Sequence, residues 1–350
     1  MRVRVLFDSY DKVMQNPAGG VQSRIRHLSD SLLPFCEVKL FDKWSDKFND
    51  YDILHIFKIG PDRYEIIKAA KQSGLKIVIS TVVPVEPFSV RQRLSKNIAK
   101  LPLMTGYKYT KMALQNADVL LPQSSAEKEY INRLYGIPKN KMTVVPNGCN
   151  YDFSTSEIDQ SFVEKYKIEK PYVLCVGRID HNKNQLNLIK ALRNTDIELY
   201  LVGGSDFGDV SYFEECKKYA TNNIHFCGWI DSKDPLLFSA YQNARVTVLP
   251  SYSEIFGNSL MEGACAGNNL ASTNKLTTLN DYGIREHVTV FDPSNPHDIH
   301  RAICNEYNKV NDQKQGEYFR NIFSWKKIAE KHFEIYKKLC TESNYDDNFC

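Results

Sequence analysis

Residues 250–267 read PSYSEIFGNSLMEGACAG. Just before them, residues 245–249 (RVTVL) have the apolar character of a buried strand. Phe256, Gly257, Asn258 and Ser259 then read as a turn entering a helix. Glu254 and Glu262 stand on either side of that turn, eight positions apart. A strand, a glycine-containing turn and a helix start with two carboxylates predict a ligand site. The N–H groups at a helix entrance receive anionic oxygens, and carboxylates accept hydrogen bonds from hydroxyl groups.

Working outward, the same alternation of strand and helix covers the chain. Further strands are expected at 171–176, 197–202, 223–226, 269–272 and 288–291, with helical segments between most of them. In the first half, strands are expected at 2–7, 37–41, 52–57, 75–81, 117–121 and 142–145, and helices at 21–33, 63–72 and 90–115. Alternation of this kind predicts an α/β fold with parallel sheets covered by helices on both faces. Residues 150–160 are polar and weakly periodic, which suits a linker. Two doubly wound Rossmann-like domains are therefore expected, at 1–160 and 161–324. A long amphipathic helix at 325–340 is expected to cross back to the first domain, followed by a loose polar tail at 341–350.

The bulk properties narrow the class. A chain of 350 residues can hold two cores. A net charge of +3 gives no whole-molecule signal for nucleic acid, and no such partner is expected. The nine cysteines are odd in number, irregularly spaced and without a C-x-x-C pair, which favours reduced thiols in a cytoplasm over a disulfide framework. The opening MRVRVLFD enters a strand at once, so no signal peptide is expected, and no apolar run is long enough for a bilayer span.

In open parallel sheets, ligands bind at the carboxyl ends of the strands. Gly19-Gly20 lies in such a loop before a helix, where glycine lets backbone N–H groups approach a phosphate, although two glycines often only make a turn. Residues 177–184 (GRIDHNKN) follow a strand and carry Arg178 and Lys183. An Arg fork and a mobile Lys charge suit a diphosphate; the alternative is an ordinary solvated loop. Gly203-Gly204 and Gly228-Trp229-Ile230 end two more strands and read either as walls for a nucleobase or as plain turns. The strand that opens each domain lacks a following G-x-G-x-x-G, so a dinucleotide site is not expected. Asp50-Tyr51-Asp52 is a D-x-D triplet at the front of a strand, away from the carboxyl ends, and is read as structural. No metal and no cofactor are expected.

These residues, in this order, resemble the retaining glycosyltransferases of family 4. The features that carry the likeness are Gly19-Gly20-Val21, Pro146-Asn147-Gly148, Gly177-Arg178 with Lys183, and the two glutamates in a Pro-Ser…Glu…Phe-Gly context. Phe323-Ser324-Trp325 before a final helix is also similar. The resemblance implies the GT-B fold, with two Rossmann-like domains facing a central cleft. It implies that Arg178 and Lys183 hold the diphosphate of a nucleotide-sugar donor, and that Glu262 accepts from the ribose hydroxyls. Glu254 would contact the donor sugar, and the N–H groups of Gly257, Asn258 and Ser259 would back the sugar and phosphate. Gly20 would approach the phosphates, Gly204 and Ile230 would line the donor site, and Glu86 and Asn147 would lie on the acceptor side. The implied reaction moves the sugar to a saccharide or polyprenyl-linked acceptor in surface polysaccharide synthesis. Rival readings are a GT-B phosphorylase, a nucleotide-sugar epimerase, or a non-catalytic sugar-nucleotide binder. Two departures stand out. The loop at 80–87 (STVVPVEP) lacks the His many members carry there, and 277–281 (TTLND) lacks a Glu found in many.

Arg91, Arg93, Lys96, Lys100, Lys108 and Lys111 form a basic run without an intervening acid, interleaved with Leu94, Ile98, Leu101, Leu103 and Met104. It reads equally as a surface for anionic lipid or as a solvated helix face interrupted at Pro102. With the resemblance, the expected location is cytoplasmic, peripheral on the inner face of the plasma membrane.

Overall fold

The computed structural model describes residues 2–10, 19–86, 89–98, 103–154, 157–205 and 210–346. The chain divides into two units, residues 1–148 with 324–350, and residues 149–323.

The first unit is built on β1 (Arg4–Ser9), α1 (Gly20–Leu32), β2 (Glu37–Leu40), β3 (Ile53–Phe57), α2 (Tyr64–Gln72), β4 (Lys76–Ser80), α3 (Val90–Ile98), α4 (Gly106–Asn116), β5 (Val119–Leu120) and α5 (Ser125–Tyr135). Its sheet runs β2-β1-β3-β4-β5, every pair parallel. The central strand β3 (ILHIF) is buried at every position, as a parallel strand covered on both faces must be.

The second unit comprises α6 (Ser161–Tyr166), β6 (Tyr172–Val176), α7 (Gln185–Leu192), β7 (Glu198–Val202), α8 (Val210–Tyr219), β8 (Ile224–Gly228), α9 (Pro235–Asn243) and β9 (Val246–Leu249). It continues with α10 (Asn258–Ala266), β10 (Asn269–Thr273), α11 (Ile284–His287), β11 (Val288–Phe291), α12 (Pro296–Tyr307) and α13 (Gln313–Phe323). Its parallel sheet runs β11-β10-β9-β6-β7-β8. Side chains alternate across it. Tyr172 and Leu174 enter one core, while Val173 and Cys175 enter the core on the opposite face. Strand order reverses between β9 and β6, so the loops after these two strands flank a topological switch point.

The last helix, α14 (Trp325–Asp346), belongs to the first unit. Ile328, Ala329 and Tyr336 are buried in one cluster with Phe7, Ile25 and Leu28. Within that core His55 contacts the Tyr336 hydroxyl at 2.6 Å through Nδ1 and the Ser80 hydroxyl at 2.9 Å through Nε2. Burial pushes the His55 imidazole well below its usual range and His332 down to about 3.

Several expectations change. The crossing between units falls after Gly148, not near residue 160. The stretch at 150–160 looked polar, but Tyr151 and Phe153 pack on Phe238 and Tyr241, which makes it part of the second unit's core. Residues 142–145 form no strand. Met142 makes one isolated bridge to Leu120, and Thr143 and Val145 donate to Leu120 O and Pro122 O. The expected helix at 90–115 is two helices, α3 and α4, the second capped by Thr105; Lys100, Leu101 and Pro102 lie outside the described residues. The tail at 341–350 continues α14 as far as Asp346. Helix α5, not foreseen, starts at a Ser124 cap that accepts from the N–H of Glu127.

The eight described cysteines form no disulfide. Among the described residues no helix is long and apolar enough to cross a membrane. Asp52 of the D-x-D triplet accepts from the backbone N–H of Arg4 at 2.8 Å and from its guanidinium, at the amino end of β3.

Candidate functional site

The two stretches singled out in the second half are the two loops that flank the switch point. Residues 177–184 follow β6 and residues 250–257 follow β9. Hydrogen bonds fasten them together. The N–H of Tyr252 donates to Asn182 O at 2.8 Å, and Asn182 Nδ2 donates to Ser253 O at 3.1 Å. Asn184, buried and left-handed at φ 59°, donates through Nδ2 to Pro250 O and Pro293 O. Asn tolerates that backbone where most residues are strained. One small polar side chain thus ends the first loop, opens α7 and staples the second loop in place.

Lys183 and Glu254 meet across this junction, Nζ to Oε2 at 2.5 Å, and the Ser251 hydroxyl donates to the same oxygen at 3.2 Å. The resemblance gave these two groups separate partners; the structure pairs them with each other. Arg178 stays more open, with its side chain 46% exposed and Asp180 at 3.4 Å. The backbone at Glu254 is held from the 276–278 turn. Leu276 makes a parallel bridge to Glu254, Thr277 N–H donates to Glu254 O, and Thr278 Oγ1 donates to Phe256 O. The TTLND segment is therefore the brace under this loop, a role its composition did not announce.

Gly257 caps α10 at φ 75°. A Cβ there would stand 2.8 Å from Leu249 Cδ2 and 3.2 Å from Leu276 Cδ1, so both backbone angle and space demand glycine. Asn258 and Ser259 form the first turn of α10, whose amino end carries the partial positive charge of the helix. One turn further, Glu262 is buried. Its Oε2 accepts from the Tyr241 hydroxyl and its Oε1 from Asn150 Nδ2, both at 2.7 Å. Burial pushes the Glu262 carboxyl up to about 7, against the opposing pull of Tyr241 and Asn150. Asn150 was not foreseen as a partner, since it falls in the stretch read as a linker.

The glycines beside these loops close the wall. At Gly203, φ 145°, an added Cβ would stand 1.9 Å from Gly177 O, so the ends of β6 and β7 approach too closely for any side chain. Gly204 O accepts from the N–H of Ile179 at 3.0 Å. Ile230 is buried in the unit's core, whereas its neighbour Trp229 is about half exposed.

Gly20, Glu86 and Asn147 belong to the first unit. Gly20 opens α1 after the extended Gly19; residues 11–18 before them lie outside the described residues. Glu86 is exposed and Asn147 is buried. The loop after β4, where a His was sought, is instead fixed by Glu127. This buried carboxylate accepts from Thr81 Oγ1 and Val83 N–H at 2.6 Å and from Gln123 N–H at 2.7 Å. Between the first two donors Val82 holds φ 49°, a strained conformation for a β-branched residue. At the carboxyl ends of β1 and β3, Arg63 Nη1 bonds Asp8 Oδ2 at 3.0 Å and Ser9 O at 2.8 Å.

Comparison with known proteins agrees with the fold. Residues 1–153 match the family described as Glycosyltransferase Family 4, and residues 157–315 match Glycosyl transferases group 1. The chain is 27% identical over 250 residues to a 2-deoxystreptamine N-acetyl-D-glucosaminyltransferase of Niallia circulans, covering 66% of this chain and 61% of that one. It is 22% identical over 241 residues to O-antigen chain mannosyltransferase B of Escherichia coli, covering 65% and 62%. The chain thus spans about six tenths of these curated relatives' own length. Anabaena HepE, solved in complex with UDP and glucose, superimposes with a TM-score of 0.71 at 14% identity, over 96% of this chain and all of that one. Such a likeness concerns the fold alone, and it is the fold of two parallel-sheet Rossmann-like domains. With both halves matched, the chain belongs to the family 4 glycosyltransferases of the GT-B fold.

Proposed function

We propose that this chain is a retaining, metal-independent glycosyltransferase that uses a nucleotide-diphosphate sugar. The observation that carries the reading is the junction at the second unit's switch point. There Arg178, Lys183, Glu254 and the amino end of α10 converge on two hydrogen-bonded loops. Two cations and a helix amino end stabilise the charge that grows on a leaving nucleoside diphosphate, which is electrostatic catalysis by groups already in place. Glu262 reads the ribose hydroxyls and Glu254 the hydroxyls of the transferred sugar. The acceptor hydroxyl attacks on the face the diphosphate leaves, and the departing phosphate takes its proton. Gly257, Asn258 and Ser259 back the donor, with Gly204 and Ile230 around it. Glu86 and Asn147 serve the acceptor side.

The acceptor is a saccharide or a polyprenyl-linked saccharide of a surface polysaccharide. The name of the O-antigen chain mannosyltransferase relative supports a glycan product, and the UDP and glucose in the Anabaena structure support the donor class. No metal, cofactor or nucleic acid takes part. The enzyme works in the cytoplasm against an anionic membrane face, a reading supported by the exposed Leu94, Ile98, Leu103 and Met104 beside the basic run.

A thermal-shift panel of nucleotide sugars tests the donor claim, because a ligand bound by the native state raises its melting temperature. The expected result is one base class that stabilises the protein and is slowly hydrolysed to its diphosphate. A flat panel refutes the reading.

A further inference from the structure

The proposed function assigns Lys183 to the donor diphosphate and Glu254 to the donor sugar, yet the structure joins the two side chains to each other. The pair is largely shielded, at 24% and 16% exposure. Both backbones are fixed. Lys183 N–H donates to Asp180 O and Oδ1, and Glu254 is braced by Leu276 and Thr277. With both backbones held, side-chain rotation is enough to part them. The companion cation Arg178 is the more open of the two. A diphosphate that approaches this loop therefore finds Arg178 open and loosely paired, with Asp180 at 3.4 Å, and Lys183 shielded and closely matched by Glu254 at 2.5 Å. That carboxylate also repels the incoming anion, and in a shielded site the repulsion is weakly screened.

We infer that Glu254 is a counter-ion that makes diphosphate binding depend on the attached sugar. It rests on the proposed donor site and adds a discrimination to it. Hydroxyls of a bound donor sugar donate to Glu254 and draw its carboxylate away from Lys183, whose ammonium then takes the diphosphate. Once the sugar has been transferred, no hydroxyl holds Glu254, and it returns to Lys183. The nucleoside diphosphate product loses a cation and gains a repelling neighbour, so it leaves. One carboxylate thus favours substrate over product at the same site without any change of backbone.

The inference predicts an inverted effect of mutation. Removing a group that touches the donor ordinarily weakens all binding; here Glu254→Gln tightens binding of the bare diphosphate. Calorimetric titration with UDP, GDP, ADP and dTDP, and with their glucose or mannose conjugates, is the test. Glu254→Gln and Glu254→Ala should bind the matching diphosphate about fivefold more tightly than wild type, the scale of a modest ion pair. Neither should bind the nucleotide sugar more tightly. Lys183→Met should weaken diphosphate binding more in the Glu254→Gln background than in wild type, because only there is the cation unmatched. Equal or weaker diphosphate binding by both Glu254 variants overturns the inference, as does an identical Lys183→Met effect in both backgrounds. In either case the donor site stands if wild type binds a nucleotide sugar. Wild type that binds no diphosphate and no conjugate overturns the donor reading, and this inference with it.

Discussion

Glu262 offers the sharpest quantitative test. Its carboxyl is pushed up to about 7 from an ordinary 4.5 because burial outweighs the bonds from Tyr241 and Asn150. A raised acid pKa means that the native state holds the proton more tightly than the unfolded chain. Stability from this group is therefore intact below about pH 4.5 and is lost progressively up to about pH 7. The full loss corresponds to about 3 kcal/mol. Glu262→Gln removes the titration while keeping an acceptor for Tyr241. Urea unfolding of both proteins at about pH 5 and about pH 8 isolates the term as a difference. Wild type should lose about 2–3 kcal/mol relative to the variant over that range. The comparison must be a difference because buried His55 and His332 act the other way. Their lowered pKa values withdraw stability as pH falls below about 6.5. The same carboxyl should govern donor affinity, since the ionised form accepts from the ribose hydroxyls far more strongly than the neutral acid. Nucleotide-sugar binding to wild type should weaken by up to about tenfold per pH unit below about pH 7, and Glu262→Gln should bind more weakly with a flat pH profile. Parallel stability curves for the two proteins would refute the burial argument, and parallel binding curves the ribose assignment.

Other consequences are simpler. Gly257→Ala combines a left-handed backbone with a 2.8 Å approach to Leu249, and should cost about 2–3 kcal/mol in urea unfolding with a matching fall in turnover. Arg178→Ala should lower kcat/KM by about 2–4 kcal/mol of transition-state stabilisation; turnover within about twofold of wild type would remove Arg178 from the chemistry. Replacing Leu94 and Ile98 of α3 by Ser should release the protein from anionic vesicles in a sedimentation assay while leaving its melting temperature unchanged, since both side chains are already exposed. Equal sedimentation of variant and wild type would favour the solvated-face reading of the basic run.

What the sequence made legible follows from periodicity and from chemistry that stays local. Parallel strands buried on both faces announce themselves as apolar runs, and β3, β6 and β9 were placed within a residue or so. Met142 to Val145 misled because an apolar run of four can lie beside a sheet and contribute one bridge. Tyr151 and Phe153 were hidden among polar neighbours, so a core segment looked like a linker. The loops after β6 and β9 were visible as motifs, but their mutual fastening through Asn182 and Asn184 was not. Those bonds join residues 66 and 71 positions apart, which no local pattern encodes. Glu127 escaped for a related reason: as the third residue after Ser124 it reads as an ordinary helix cap. Only the fold brings Thr81 and Val83, more than forty positions upstream, onto its carboxylate.

The return of α14 to the first unit has a consequence for biosynthesis. That unit is assembled from both ends of the chain, with the second unit inserted between Gly148 and Ser324. On a ribosome, residues 1–148 emerge first, yet they must wait for residues 325–346 before His55 finds Tyr336 and before Phe7 and Leu28 are covered by Ile328 and Ala329. The inserted unit is contiguous and can close its own core sooner. Synthesis thus reverses the usual amino-to-carboxyl order of domain completion. Chains truncated near residue 324 and released from the ribosome should hold a protease-resistant fragment from the middle of the sequence, flanked on its amino side by a complete sheet that lacks the cover of α14 and that a chaperone would recognise.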